Sequence, residues 1–248
     1  MKIASSSASF DDRLRSGGLT QLEWLDICAK EFELDGVVLD ARHFPRIDDE
    51  YVAQLKKLAT DLGLSVAAVA ADIVLAHGDG AWLEIAARLG APLLIARAPA
   101  ADADVSAWNA LAARARAVAA QAKALNVTIA VRNAPQSLCA TSADLKRLAK
   151  DVDSAWIRFA LDVAKLAPNE SIEGVFTRTV AACHDVESLS SGDERKGVLD
   201  VAAHLCGFRG FLVLDSIAQD AAPDQLGQAV RTARALLARA ALDAAPLT

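Results

Sequence analysis

Short runs of aliphatic side chains alternate along this chain with longer stretches whose apolar residues recur three or four apart. The aliphatic runs predict strands over Lys2–Ser6, Gly36–Asp40, Ser65–Ala70, Pro92–Arg97, Val127–Arg132, Trp156–Asp162, Thr179–Cys183 and Phe211–Asp215. The helical period predicts helices over Thr20–Phe32, Asp49–Leu62, Ala81–Leu89, Asp104–Leu125, Ser142–Lys150, Val198–Leu205 and Pro223–Leu242. Thr20 followed by Glu23 reads as a capping box, and Gly63 and Gly90 stop two of the helices. Strands alternating with helices build a parallel sheet, and eight such units in 248 residues predict a single (β/α)8 TIM barrel over 1–248, one domain of α/β class.

Runs as apolar as IRFALD and FLVLD suit strands covered on both faces. A charge at the end of such a run leaves the core only by facing the C-terminal mouth of the barrel, where active sites of this architecture are built. The chain places Asp40, Arg97, Arg132, Asp162, His184 and Asp215 there. Two polar connections, Ser188–Lys196 and Asp215–Pro223, follow the last two strands and are expected to lie over the mouth.

Carboxylates with a histidine at strand ends make a divalent-metal site in principle. Arg132 changes that expectation, because a guanidinium cannot ligate, keeps its proton and repels a cation beside it. Asp162, His184, Asp215, Arg132 and Lys165 are the catalytic candidates, and Arg97, Asn133, Glu187 and His43 the substrate-binding ones. His77, in the short turn His77-Gly78-Asp79-Gly80, reads as structural, and Trp24, Trp82, Trp108 and Trp156 read as core anchors.

Composition narrows the picture further. Hydrophobic residues make up 53% of the chain and aromatic ones 5%, so the core is built from aliphatic side chains and alanine. A net charge of −6 with no basic stripe gives no electrostatic reason to bind nucleic acid. The four cysteines are widely spaced with no C-x-x-C, which indicates neither a zinc ribbon nor a disulfide framework. Neither G-x-G-x-x-G nor G-x-x-x-x-G-K-[ST] occurs, so no nucleotide cofactor is expected. Lacking an apolar signal core and any charge-free apolar stretch of about 20 residues, the chain reads as a soluble cytoplasmic protein that does not enter membranes.

FELDGVVLDARHF, LGAPLLIARA, NVTIAVRN, IRFALDVAKL and GFRGFLVLD, with the turn Gly207-Phe208-Arg209-Gly210 before the last strand, resemble successive strands of the xylose isomerase-like superfamily of TIM barrels. The resemblance implies a sugar isomerase or epimerase that transfers protons beside a carbonyl of a small sugar, polyol or sugar acid. It also implies one divalent metal (Mn²⁺, Mg²⁺ or Zn²⁺), held by a Glu ending strand five, an Asp ending strand six, a His on strand seven and a Glu ending strand eight. Association between copies through the helical shell is a further implication. Asp162 matches the family Asp and His184 the strand-seven His, whereas Arg132 replaces the first Glu, Asp215 shortens the second, and Lys165 stands where the family often has a His. A retained metal would fall to Asp162, His184 and Asp215. Otherwise the Arg132 guanidinium takes over the metal's charge between Asp162 and Asp215, and Arg97, Arg132 and Lys165 receive an anionic group. The alternative is a barrel that binds a carbohydrate-like or anionic metabolite without turnover. A phosphodiesterase of the endonuclease IV type fits least, since clustered zinc ions need many histidines and the chain has four.

Overall fold

The computed structural model describes residues 1–100, 105–167, 170–172, 174–191, 210–216, 220 and 222–243. Eight parallel strands form a closed barrel: β1 (Lys2–Ser6), β2 (Gly36–Asp40), β3 (Ser65–Ala70), β4 (Leu93–Arg97), β5 (Thr128–Arg132), β6 (Ile157–Asp162), β7 (Thr179–Asp185) and β8 (Phe211–Asp215). Each strand pairs with the next, and β8 pairs with β1 to close the ring. Strands β4, β5 and β6 start one residue later than the sequence predicts, and β7 runs two residues further, taking His184 into the sheet.

Helices follow the strands: α1 (Asp11–Arg15), α2 (Gln21–Lys30), α3 (Asp49–Asp61), α4 (Ile73–His77), α5 (Ala81–Leu89), α6 (Val105–Leu125), α7 (Ser142–Val152), α8 (Val186–Ser191) and α9 (Pro223–Asp243). The capping box at α2 is formed, with Thr20 Oγ1 accepting the Glu23 N–H at 3.2 Å and the Glu23 carboxylate accepting the Thr20 N–H at 2.9 Å. Helices α1, α4 and α8 were not visible in the apolar period, because five or six residues are too few to show a stripe. The predicted helix Val198–Leu205, Cys206, the first three residues of the 207–210 turn and much of the two polar connections lie outside the described residues.

The period-two alternation of each strand sorts the core into two layers. Ala4, Val38, Ala68, Ile95, Ala130, Ala160, Cys183 and Val213 fill the barrel interior. Their neighbours, among them Ile3, Leu39, Leu94, Ile129, Phe159, Leu161 and Leu214, pack outward under the helices. The bottom of the barrel is tight at Gly36, where a Cβ would stand 2.6 Å from the Ser65 carbonyl oxygen and 2.8 Å from the Phe211 ring. Among the described residues no helix is long and apolar enough to cross a membrane, and Cys28, Cys139 and Cys183 are buried free thiols.

Candidate functional site

Two residues beyond each inward apolar position lies the next inward one, and there every strand but β3, which has Ala70, carries a polar side chain. Val38 is followed by Asp40, Ile95 by Arg97, Ala130 by Arg132, Ala160 by Asp162 and Val213 by Asp215. At their centre Arg132 lies between two carboxylates. Its Nη2 donates to Asp162 Oδ2 at 2.9 Å and its Nη1 to Asp215 Oδ2. The three residues are 8%, 1% and 5% exposed, so this is a buried ion network. Burial disfavours the guanidinium charge, but the surrounding opposite charges, Asp215 and Asp162 among them, outweigh it and hold Arg132 protonated well beyond its ordinary range. Each carboxylate keeps one buried oxygen, Oδ1, with no hydrogen-bond partner among the described residues.

Asn133 serves this network from behind. Its amide donates to the Asp162 carbonyl at 2.9 Å and its carbonyl accepts the Asp162 N–H at 2.8 Å, clamping β5 to β6. His184 lies on the other side of β7. It is paired in register with Leu214, which faces the helices, and its Nδ1 is 3.1 Å from the Asp185 carbonyl. The inward residue at that level is Cys183, beside Arg132, and burial pushes its thiol up to about 12.

A cavity of about 500 Å³ opens above Arg132, Cys183 and Asp215. One wall is a ring of hydrogen bonds between the ends of β1 and β2. The Asp40 N–H donates to Ser7 Oγ (2.9 Å), Ser7 Oγ meets His43 Nδ1 (2.8 Å), and His43 Nε2 meets Asp11 Oδ1 (2.9 Å). Arg42 completes it, bonding Asp11 at 3.0 Å and both oxygens of Asp40 at 3.0 and 2.9 Å. Burial raises the Asp11 pKa, but the His43 hydrogen bond and the Arg42 charge prevail, leaving it below the usual carboxylate range. His43 has a fully buried side chain with both ring nitrogens engaged, so it holds this wall rather than lining the cavity.

On the β8 side the Asp220 carboxylate accepts the N–H groups of Asp12 and Arg13 at 2.8 and 3.0 Å. Opposite, Arg97 is held by Asp72, which takes its backbone N–H and its Nε, each at 2.8 Å. Lys165 sits half-buried on the turn after β6, with no ion-pair partner among the described residues and no place in the cavity lining. Glu187 is half-buried on α8 and likewise does not line it. The structure thus gathers Arg132 and Asp215 at the floor, Asp162 and Asn133 beneath it, and Arg97 at the rim. His43 stands behind one wall, and His184, Lys165 and Glu187 lie outside the lining.

The sequence reading missed Cys183, Asp11, Ile73 and Trp82. Counting by twos from Ala181 would have found Cys183. Asp11 carried no signal, because the turn after β1 hides in a serine-rich stretch. Trp82, read as a core anchor, is half-buried and lines the cavity.

The donor set does not fit a divalent metal. Both inner carboxylates already hold the guanidinium of Arg132, whose positive charge occupies the place between them, and His184 faces away. Among the described residues no three His, Cys, Asp or Glu side chains are grouped to hold an ion.

A sequence model of the family described as xylose isomerase-like TIM barrel matches residues 28–174. No curated protein sequence matches the chain. Among solved structures, a xylose isomerase domain protein from Alicyclobacillus acidocaldarius superposes with a TM-score of 0.77 at 16% identity, covering 97% of this chain and 99% of that one. An L-ribulose 3-epimerase gives 0.73 at 18% identity, covering 100% and 99%. A D-psicose 3-epimerase from Clostridium cellulolyticum H10, determined with D-tagatose, gives 0.74 at 15%, covering 98% and 99%. At these identities the likeness shows the shared fold.

Proposed function

The chain belongs to the xylose isomerase-like TIM barrel family, and from that premise we propose that it binds a small neutral sugar or polyol at the mouth of the barrel and moves a proton beside its carbonyl. One observation carries the reading: at the cavity floor a protonated Arg132 sits against Asp215, whose second oxygen has no hydrogen-bond partner among the described residues. The cavity volume falls in the range of about 300–1,000 Å³ that encloses small ligands. Neighbours of the same fold include an L-ribulose 3-epimerase and a D-psicose 3-epimerase, consistent with a carbohydrate-like ligand.

Charge favours a neutral ligand over an anion. Six aspartates and three arginines are among the described lining residues: Asp11, Asp12, Asp40, Asp72, Asp215 and Asp220 against Arg42, Arg97 and Arg132. Arg42 and Arg97 are already neutralised by Asp40 and Asp72. Hydroxyl groups can donate to this surplus of carboxylate oxygens, whereas an anion would be repelled by it.

In the proposed step Asp215 takes a proton from the carbon next to the carbonyl, and the electrons of that C–H bond pass to the carbonyl oxygen. Arg132 stabilises the oxyanion with N–H groups that are fixed in advance, so no reorganisation is needed as charge develops. Asp215 then returns the proton to the neighbouring carbon, and the hydroxyl proton reaches the other oxygen through solvent. Asp162 and Asn133 are positioning residues that hold Arg132. Asp215 supplies one acid–base group on one face, which favours a hydrogen shift between adjacent carbons over inversion of a centre, since inversion needs a second group opposite.

The test is proton exchange. Incubated in D2O with aldoses and ketoses, the protein should place deuterium on the carbon beside the carbonyl, and Asp215→Asn should slow this by about 100-fold or more. A second reading, binding without turnover, is favoured by Cys183, a neutral thiol at the inward position of β7. Saturable binding of sugars with no exchange above background would establish it and reject the proton-transfer step.

A further inference from the structure

We infer that the ligand of this cavity is a sugar carrying an apolar group, with its hydroxyls against the aspartates and its apolar part against Trp82 and Ile73; the inference rests on the cavity being the sugar site proposed above. The cavity is divided by polarity. Asp11 and Asp12 after β1, with Asp215 and Asp220 at and after the end of β8, form one side. The segment after β3 forms another, and it presents Ala71, Ile73 and Trp82, together with Asp72, whose charge is taken up by Arg97.

Two features of the apolar side call for a ligand. Ile73 is 40% exposed, one of four large exposed hydrophobic residues among those described, and it faces the cavity. It opens α4 directly after Asp72, whose carboxylate is fixed on Arg97, so the isoleucine is held at the mouth rather than free to fold inward. Trp82 is braced edge-on by Phe44, with ring centroids 5.2 Å apart at 70°. That geometry fixes one aromatic side chain while leaving it on the cavity wall, which is how a flat apolar partner is received at low entropic cost. A bare polyol would match the acidic side and leave Ile73 facing hydroxyls.

Size points the same way. At about 30 Å³ per water, the cavity's 500 Å³ is the space of roughly 17 water molecules, more than a sugar of about a dozen heavy atoms displaces.

The experiment is calorimetric titration of the full chain with paired methyl and phenyl β-D-glucopyranosides, galactopyranosides and xylopyranosides. The expected result is that, in at least one pair, the phenyl glycoside binds about tenfold or more tightly than the methyl one. Trp82→Ala should bring that ratio to within about twofold of one, and Ile73→Ser, at an exposed position that leaves the Phe44 contact intact, should lower it in the same direction. Equal affinities within every pair that binds would overturn the inference and leave the sugar site standing. A Trp82→Ala variant that weakens methyl and phenyl glycosides alike would also overturn it, because Trp82 would then be stacking on the sugar ring. Failure of all six compounds to bind at millimolar concentration would overturn the inference as well, and would leave the sugar site to the D2O exchange with free aldoses and ketoses, because a glycoside has no free carbonyl.

Discussion

Arg132 is held in place by two charges that would be expensive to leave alone. Removing one partner of a buried ion network strands the other and typically costs about 3–5 kcal/mol. Arg132→Leu is therefore expected to lose about that much stability at pH 7, measured by urea unfolding. The guanidinium's pKa is raised, so its contribution is present below its unfolded value and is lost only as pH rises through a still higher folded value. Across the working range it does not titrate. A loss well under about 1 kcal/mol would show that water reaches the two carboxylates once the guanidinium is gone. The same residues were legible in sequence for a related reason, since a charge ending a buried run has one way out. His184 was not, because a shift of one residue along a strand moves a side chain to the other face.

At the scale of elements, the alternation that builds each strand also decides what reaches the cavity. Strands and long helices were readable because each needs several residues of consistent period. Helices α1, α4 and α8 were not, and two of them carry Asp11 and Ile73 to the site. The walls are therefore less legible than the floor. A close contact between elements lies where β2 meets β3 and the Phe211 ring at Gly36. Gly36→Ala should destabilise the barrel by about 1–3 kcal/mol, as overpacking does. Adding Phe211→Leu should recover part of the loss but not all of it, because the Ser65 carbonyl oxygen at 2.6 Å belongs to the backbone and cannot swing aside. Full recovery in the double variant would mean that the sheet adjusts at this point.

Closure of the whole barrel turns eight separate strand ends into one electrostatic environment, and this gives the molecule a preference that no single residue states. The chain carries a net charge of −6, and carboxylates outnumber guanidinium groups two to one among the described lining residues. A ligand that binds only the folded form adds stability of RT ln(1 + [L]/Kd), about 2.7 kcal/mol at one hundred times Kd. For a chain of this size each kcal/mol moves the melting temperature by about 2–4 °C, so saturation should raise it by about 5–11 °C. Neutral sugars and polyols should produce such shifts at lower concentration than the corresponding sugar acids. Raising the ionic strength should bring the two series together, because salt screens the repulsion of the acid from the half-buried and exposed aspartates at the mouth but leaves hydrogen bonds to hydroxyls in place. If sugar acids stabilised the protein more strongly at low salt, Arg97 and Arg132 would have to be acting as an anion clamp despite their aspartate partners, and the assignment of a neutral ligand would be reversed.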